Sequence, residues 1–261
     1  MSAPDSWFVA ARKGSTEQLQ QLLADGIDVD SRSGAAQGST ALHLAVAFGR
    51  EEATHALVSA GADLEAMAKG VTVLHTAVFK NMGEMVKLLL AAGADPNAEQ
   101  AEDGSTALLE AAAGGHTDVA RLLLQAGADP NKGSSLLPLH SAAYKNHVEV
   151  VKLLLDGGAD PNELEEDGAT ALLKAAAAGH DVAVGLLLHA GADPSTSRDG
   201  VSPLHYASYG GHLSTVEALL AAGANPDAKD EGGNSPLGYA LIESDHAKCC
   251  QALLRAGAKF I

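Results

Sequence analysis

The chain has 261 residues, a formal net charge of −16, 46% apolar residues and only 3% aromatics. So acidic a chain repels phosphate backbones and anionic membranes, which argues against nucleic acid and for a protein partner with a basic or mixed-charge surface. No stretch approaches the roughly 18 apolar residues of a membrane span, Met1–Ser15 has no long apolar region behind a basic start, and the two cysteines, Cys249 and Cys250, are adjacent, where a disulfide is strained; a soluble monomer of the reducing cytosol or nucleus is expected.

The phrase Gly-Ala-Asp-Pro-Asn recurs, whole or in part, at Gly26, Gly61, Gly93, Gly127, Gly158, Gly191, Gly223 and Gly257. The intervals are 35, 32, 34, 31, 33, 32 and 34 residues. A period of that length means stacked supersecondary units, so one domain over residues 5–261 is expected, built of units 5–33, 34–67, 68–99, 100–133, 134–164, 165–197, 198–229 and 230–261.

Residues 5–33 begin with Trp7-Phe8-Val9-Ala10-Ala11 in place of the later pattern and are read as a terminal cap. Unit 34–67 carries Thr40-Ala41-Leu42-His43-Leu44-Ala45, a short first helix ending at Gly49. Unit 68–99 places Phe79-Lys80 near the end of its first helix. Unit 100–133 is the fullest template: Asp103-Gly104-Ser105-Thr106-Ala107-Leu108, then Ala111-Ala112, Gly115-His116, Val119, Leu122-Leu123-Leu124 and Gly127-Ala128-Asp129-Pro130-Asn131. Thr106 caps the first helix, Val119, Leu122 and Leu123 form the apolar face of a second, Gly127 stops it and Pro130 forces an extended exit. Unit 134–164 opens on Ser134-Ser135-Leu136-Leu137, which predicts a shortened or reshaped turn, and then Pro138 takes the first helical position, as Pro203 and Pro236 do later. Unit 165–197 returns to the template. Unit 230–261 has Gly238 where His is usual and ends in Lys259-Phe260-Ile261, a second cap.

Pro203-Leu204-His205-Tyr206-Ala207, Pro138-Leu139-His140-Ser141-Ala142 and Thr40-Ala41-Leu42-His43-Leu44-Ala45 match the T-P-L-H-x-A signature of ankyrin repeats, and the resemblance runs from about Asp5 to Ile261. It implies an all-α solenoid of helix-turn-helix units with projecting β-turn or hairpin fingers. It also implies that His43, His75, His140 and His205, and His116, His180 and His212 of the Gly-His slot, are structural hydrogen-bonding residues, with His55, His189 and His246 off the template and facing solvent. Ankyrin repeats can be hydroxylated on the turn asparagine, a slot matched by Asn97, Asn131 and Asn162, although Pro flanks them where Val is more usual.

A longer period runs inside the short one. Residues 71–131 and 136–195 resemble each other most: Val78-Phe79-Lys80-Asn81 answers Ala143-Tyr144-Lys145-Asn146, and Thr106-Ala107-Leu108-Leu109-Glu110-Ala111 answers Thr170-Ala171-Leu172-Leu173-Lys174-Ala175. In the ankyrin geometry the residues before the Gly-His end of the first helix face a concave groove. Here those positions alternate between bulky (Ala47-Phe48, Phe79-Lys80, Tyr144-Lys145, Tyr209-Gly210, Ile242-Glu243) and bare (Ala113-Gly114, Ala177-Ala178). Tyr206 lies three residues before Tyr209 and shares its helical face. The aromatics are read either as a binding ladder or as side chains packed on the small residues of neighbouring units. The fingers are acidic, with Glu99, Glu102 and Asp103, Glu163, Glu165 and Glu166, Asp199 and Asp230 as the rim, read either as a field that steers a basic ligand or as solvated loops.

Residues of catalysis are missing: no Walker motif, no GxSxG, no GxGxxG after a strand, and histidines one repeat apart without convergent Cys or carboxylate partners for zinc. Asp160, Asn162, Glu163 and Glu165–Asp167 lack the spacing of a calcium loop. No cofactor or metal is expected. The groove residues Phe48, Phe79, Lys80, Tyr144, Lys145, Tyr206, Tyr209 and Ile242, with the acidic fingers, make a non-catalytic protein-interaction module the leading reading and a regulatory inhibitor covering an enzyme or transcription factor the alternative.

Overall fold

The computed structural model describes residues 3–34, 36–243 and 246–259, so the expected Phe260-Ile261 ending lies outside the described residues. Among the described residues there are sixteen helices and no strand beyond three isolated β-bridges. The chain divides into two compact units, residues 1–133 and 134–261, and the division falls at the irregular segment that starts with Ser134.

In the first unit the helices are α1 (Ala3–Lys13), α2 (Thr16–Ala24), α3 (Ala41–Ala47), α4 (Glu51–Ser59), α5 (Val73–Phe79), α6 (Gly83–Ala91), α7 (Ala107–Gly114) and α8 (Thr117–Gln125). The odd-numbered helices pack side by side as one layer and the even-numbered ones as another. Ala41, Ala45, Ala77 and Ala111 are fully buried, and their small side chains let the short helices approach closely, while Leu42, Leu57, Leu89 and Leu123 fill the space between layers. Each such leucine contributes about 1.5–3 kcal/mol by leaving water. Trp7, fully buried, supplies the bulk in α1 that Leu supplies elsewhere.

The second unit repeats the plan with α9 (Pro138–Tyr144), α10 (Val148–Asp156), α11 (Ala171–Ala178), α12 (Asp181–His189), α13 (Pro203–Tyr209), α14 (Leu213–Ala221), α15 (Pro236–Ala240) and α16 (Ala247–Arg255). Its odd and even helices again form separate layers.

Helices this short need strong ends. Thr40, Thr72 and Ser202 are extended N-caps whose hydroxyls serve the fourth residue's N–H, and the histidine there returns its ring to the cap, a reciprocal box in α3, α5 and α13. In α7 and α11 Leu109 and Leu173 stand at that position, and only the threonine half remains, at 3.2 and 3.1 Å. The first helices stop at a left-handed residue. Gly49, Gly115, Gly179 and Gly211 take it as expected, but Asn81 (φ 54°) and Asn146 (φ 60°) do so in their own repeats, asparagine tolerating that region better than other side chains.

The recurring phrase turns each repeat toward the next. Ala94 N–H bonds to the Leu89 carbonyl across Gly93 (φ 98°), closing the helix. Asp95 then accepts from Asn97 N–H at 2.8 Å and fixes the turn. The fifth residue of the phrase reaches into the following copy: Asp30 accepts from Asp63 N–H (3.0 Å), Glu65 from Asp95 N–H (2.8 Å) and Asn97 from Asp129 N–H (2.7 Å). Asn97 also donates to the Gly127 carbonyl at 3.0 Å. In the second unit Asn162 makes the same two bonds, to Asp193 N–H and the Gly191 carbonyl, and Asp227 accepts from Lys259 N–H.

Two kinds of finger alternate. Lys69-Gly70 and Asp199-Gly200 are two-residue turns with positive φ at both positions, as the type I′ hairpin requires, inside the bridges Ala68–Val71 and Arg198–Val201. The other kind is a wider loop, in which Gln100 N–H bonds to Ser105 O, Glu165 N–H to Ala169 O and Asp230 N–H to Asn234 O. This alternation is the structural form of the two-repeat period.

Candidate interaction surface

Counting from the N-cap of each first helix, the seventh and eighth residues end the helix and stand clear of its buried face. In the first unit this places Ala47 and Phe48, Phe79 and Lys80, then Ala113 and Gly114 at equivalent positions. Phe79 is 74% exposed and Phe48 49%, with the Arg12 guanidinium 5.8 Å from the Phe48 ring centroid in cation–π contact. In the second unit the row is Tyr144 and Lys145, Ala177 and Ala178, Tyr209 and Gly210, then Ile242 and Glu243. Tyr144 and Tyr209 are 60% and 51% exposed, and Leu241 and Ile242 are exposed beside them. Each of these rings keeps about half or more of its surface in water.

Tyr206 stands half-buried one helical turn before Tyr209 and offers less surface. Tyr239, three residues before Ile242, meets Tyr209 edge to face at 6.3 Å and His205 at 5.2 Å. Its hydroxyl donates to Asp230 Oδ2 at 2.8 Å. Hydrogen bonds from the Asn234 side chain and backbone hold Asp230 down to about 2, and burial followed by the Asp230 bond pushes the Tyr239 hydroxyl up to about 12.

The fingers are not uniformly open carboxylates. Glu99, Glu102, Asp103, Glu163, Glu166 and Asp199 are exposed. Glu99 pairs with Lys132 at 2.9 Å, and the Asp103 carboxyl is held low by its bonds to Ser105. Glu165 corrects the expectation: it is 5% exposed, accepts from Leu137 N–H at 3.0 Å and pairs with Lys174, so it fastens the finger from inside and offers no charge to a ligand. Asp230 is half-buried and bonded to Asn234 and Tyr239.

Gln100, Glu165 and Asp230 open three of the wide fingers, and each is tied to the fourth residue after the N-cap of the adjoining helix: Gln100 Nε2 donates to Glu110 Oε1 at 2.6 Å, Lys174 Nζ to Glu165, and Tyr239 to Asp230. The sequence signal for this was present in the duplicated blocks, where Glu110 answers Lys174, a reversal of charge at one position. Met67, Leu136 and Leu164 add exposed apolar side chains on the turns, which composition alone does not distinguish from core leucines.

The histidines are structural. In His43 the Nδ1 accepts from Thr40 and Nε2 faces the Val71 carbonyl at 3.4 Å; His205 does the same with Ser202 and the Asn234 carbonyl, so the hydrogen-bond pattern assigns a neutral Nε2–H ring. Burial lowers the pKa of His43, His75, His140 and His205. His180 and His212 bond through Nε2 to the Tyr144 and Ala177 carbonyls at 2.9 and 3.3 Å. His246 corrects another expectation. It is half-buried at the N-cap of α16, against Gly211, in the slot that His212 occupies 34 residues earlier. No group of three potential metal ligands exists among the described residues.

A family description, ankyrin repeats (3 copies), matches residues 7–100, 69–134, 92–165, 126–198 and 172–261. This chain belongs to the ankyrin repeat family. The crystal structure of the ankyrin repeat domain of Bcl-3, "a unique member of the IkappaB protein family", aligns with a TM-score of 0.74 at 32% identity, covering 84% of this chain and 99% of that one. No curated protein matches at a significant level. The ankyrin fold is a protein-interaction scaffold without catalytic machinery, and no enzymatic family is indicated. The fold is an ankyrin solenoid, its partners are proteins, and no described helix is long and apolar enough to cross a membrane.

Proposed function

We propose that this ankyrin repeat protein is an adaptor that captures a partner protein on exposed helix ends, Phe48, Phe79 and Lys80 in the first unit and Tyr144, Lys145, Tyr209 and Ile242 in the second, with Glu99, Glu102 and Asp103, and Glu163, Glu166 and Asp199, as the acidic fingers of each. One observation carries the reading: of eight Phe and Tyr in the chain, Phe48, Phe79, Tyr144 and Tyr209 stand about half or more in water at equivalent helix ends. Aromatic rings bury a large area for little rotamer entropy, which is why they dominate binding hot spots. The partner's complementary surface is basic and apolar, and the setting is the cytosol or nucleus, where Cys249 and Cys250 remain free thiols.

The test is the triple substitution Phe79→Ala, Tyr144→Ala and Tyr209→Ala, read by affinity capture and by thermal melting. Capture falls at least about tenfold while the melting temperature holds, because exposed rings contribute little to the core. Capture that survives, or a melting temperature that drops with it, refutes the surface. The inhibitor alternative uses the same residues and differs in one readout: the activity of a single tightly bound partner falls on binding.

A further inference from the structure

Three of the wide fingers are fastened to their helices by the same side-chain position with three different chemistries. Glu165 and Lys174 form an ion pair, Asp230 takes the Tyr239 hydroxyl, and Gln100 meets the carboxyl of Glu110. The first two are charge-assisted and lock the finger while their acid is ionised. The third has no countercharge. Glu110 Oε2 is shut off from water and has no hydrogen-bond partner.

Its surroundings favour the neutral acid. Burial pushes the Glu110 carboxyl up to about 7, the Gln100 bond pulls the other way, and the Asp103 charge adds to burial. Of the segments that adjoin α7, α5 carries His75, whose ring faces the Ala98 and Ser105 carbonyls, and Lys80 at its C-cap; the finger carries Glu99, Glu102 and Asp103; α8 carries Asp118 and Arg121, with His116 at its N-cap against Gly114; α7 carries no other charge, and of these groups Asp103 acts on the Glu110 carboxyl. Lys132, the cation that follows α8, is committed to Glu99 and to the Asn97 carbonyl, each at 2.9 Å.

We propose that Gln100 and Glu110 form a proton-dependent latch: the neutral carboxyl keeps the finger of residues 99–106 on α7, and the ionised carboxylate turns out to water and releases it. Ionising in place leaves a charge on a buried oxygen that nothing satisfies, whereas rotation toward the partly open side of Glu110 hydrates both oxygens at the cost of one hydrogen bond to a charged group, worth about 1.5–3 kcal/mol. The finger held by Asp230, whose carboxyl Asn234 holds low, keeps its bond through the same range. That the released finger, with Glu99, Glu102 and Asp103, belongs to a docking rim rests on the proposed function; the latch does not.

Carbon-detected NMR of the labelled full chain follows the Glu110 carboxyl, and backbone amides report each finger, between about pH 5.5 and 8.5, a range that spans neutral histidine titration as well. The expected result is one shared midpoint near neutrality for Glu110 and the Gln100, Gly104 and Ser105 amides, with Gly233 and Asn234 unmoved. E110Q abolishes the step. The double exchange Q100E with E110K, which copies the Glu165–Lys174 pair, abolishes it too and serves should E110Q not fold. A step that survives either variant belongs to His75 and overturns the latch. So does a Glu110 carboxyl that titrates in the ordinary range near about 4.3, or finger amides that stay flat while it titrates.

Discussion

Asn97 holds two backbone groups of the following repeat with one side chain, accepting from Asp129 N–H and donating to the Gly127 carbonyl. Asn97→Asp keeps the acceptor and loses the donor; Asn97→Ala loses both. With each net hydrogen bond worth about 0.5–1.5 kcal/mol, urea unfolding places the aspartate variant about one bond below the parent and the alanine variant about two. An alanine variant with an unshifted midpoint removes the staple from the account. Which acid is structural and which is available was not legible residue by residue. Glu165 and Glu166 are neighbours in sequence, yet one is buried on Lys174 and the other is exposed, because a wide loop points successive side chains to opposite sides. Position relative to the N-cap carries that information, and it separates Glu110 from Glu99 as well.

At the scale of the element, short helices depend on capping histidines that must stay neutral, since Nδ1 accepts from the cap in His43, His75 and His205. The folded pKa of these rings and of His140 is depressed by burial. Their contribution is therefore present above the unfolded value of about 6.5 and lost as pH falls below it. Glu110 has the opposite sign: its raised pKa favours the fold at low pH and withdraws that help as pH rises toward 7. Four rings against one carboxyl predict a net loss of stability between about pH 7 and 5.5, seen as a falling urea midpoint. His205→Asn, which retains an acceptor for the cap without a titrating ring, makes the decline shallower; a midpoint independent of pH in the parent denies the neutral-histidine account. Helices, caps and turn prolines were legible in the sequence because each repeat restates them under its own local rules. The finger-to-helix bonds were not, because Gln100 and Glu110 are ten residues apart and meet only once the loop closes.

For the whole molecule, charge is spread evenly. Residues 1–133 hold 9 Lys and Arg against 17 Asp and Glu, and residues 134–261 hold 8 against 16, so each unit carries −8 and neither monopolises the attraction for a basic partner. Part of that charge is spent internally, on pairs such as Lys132–Glu99, Lys174–Glu165 and Arg198–Asp167. In the proposed surface what remains is a set of exposed acids screened over about 8 Å at physiological ionic strength, together with rings whose contact is apolar and insensitive to salt. The two contributions therefore separate kinetically. Raising salt from about 0.05 to 0.5 M slows association of the captured partner by about tenfold or more, through loss of steering, and leaves dissociation nearly unchanged, since the aromatic contacts set the lifetime of the complex. Replacing Glu102, Glu163, Glu166 and Asp199 by their amides reproduces the slow association at low salt. Association indifferent to salt assigns recognition to the aromatic rings alone, and salt-accelerated dissociation places the acids inside the contact instead of around it.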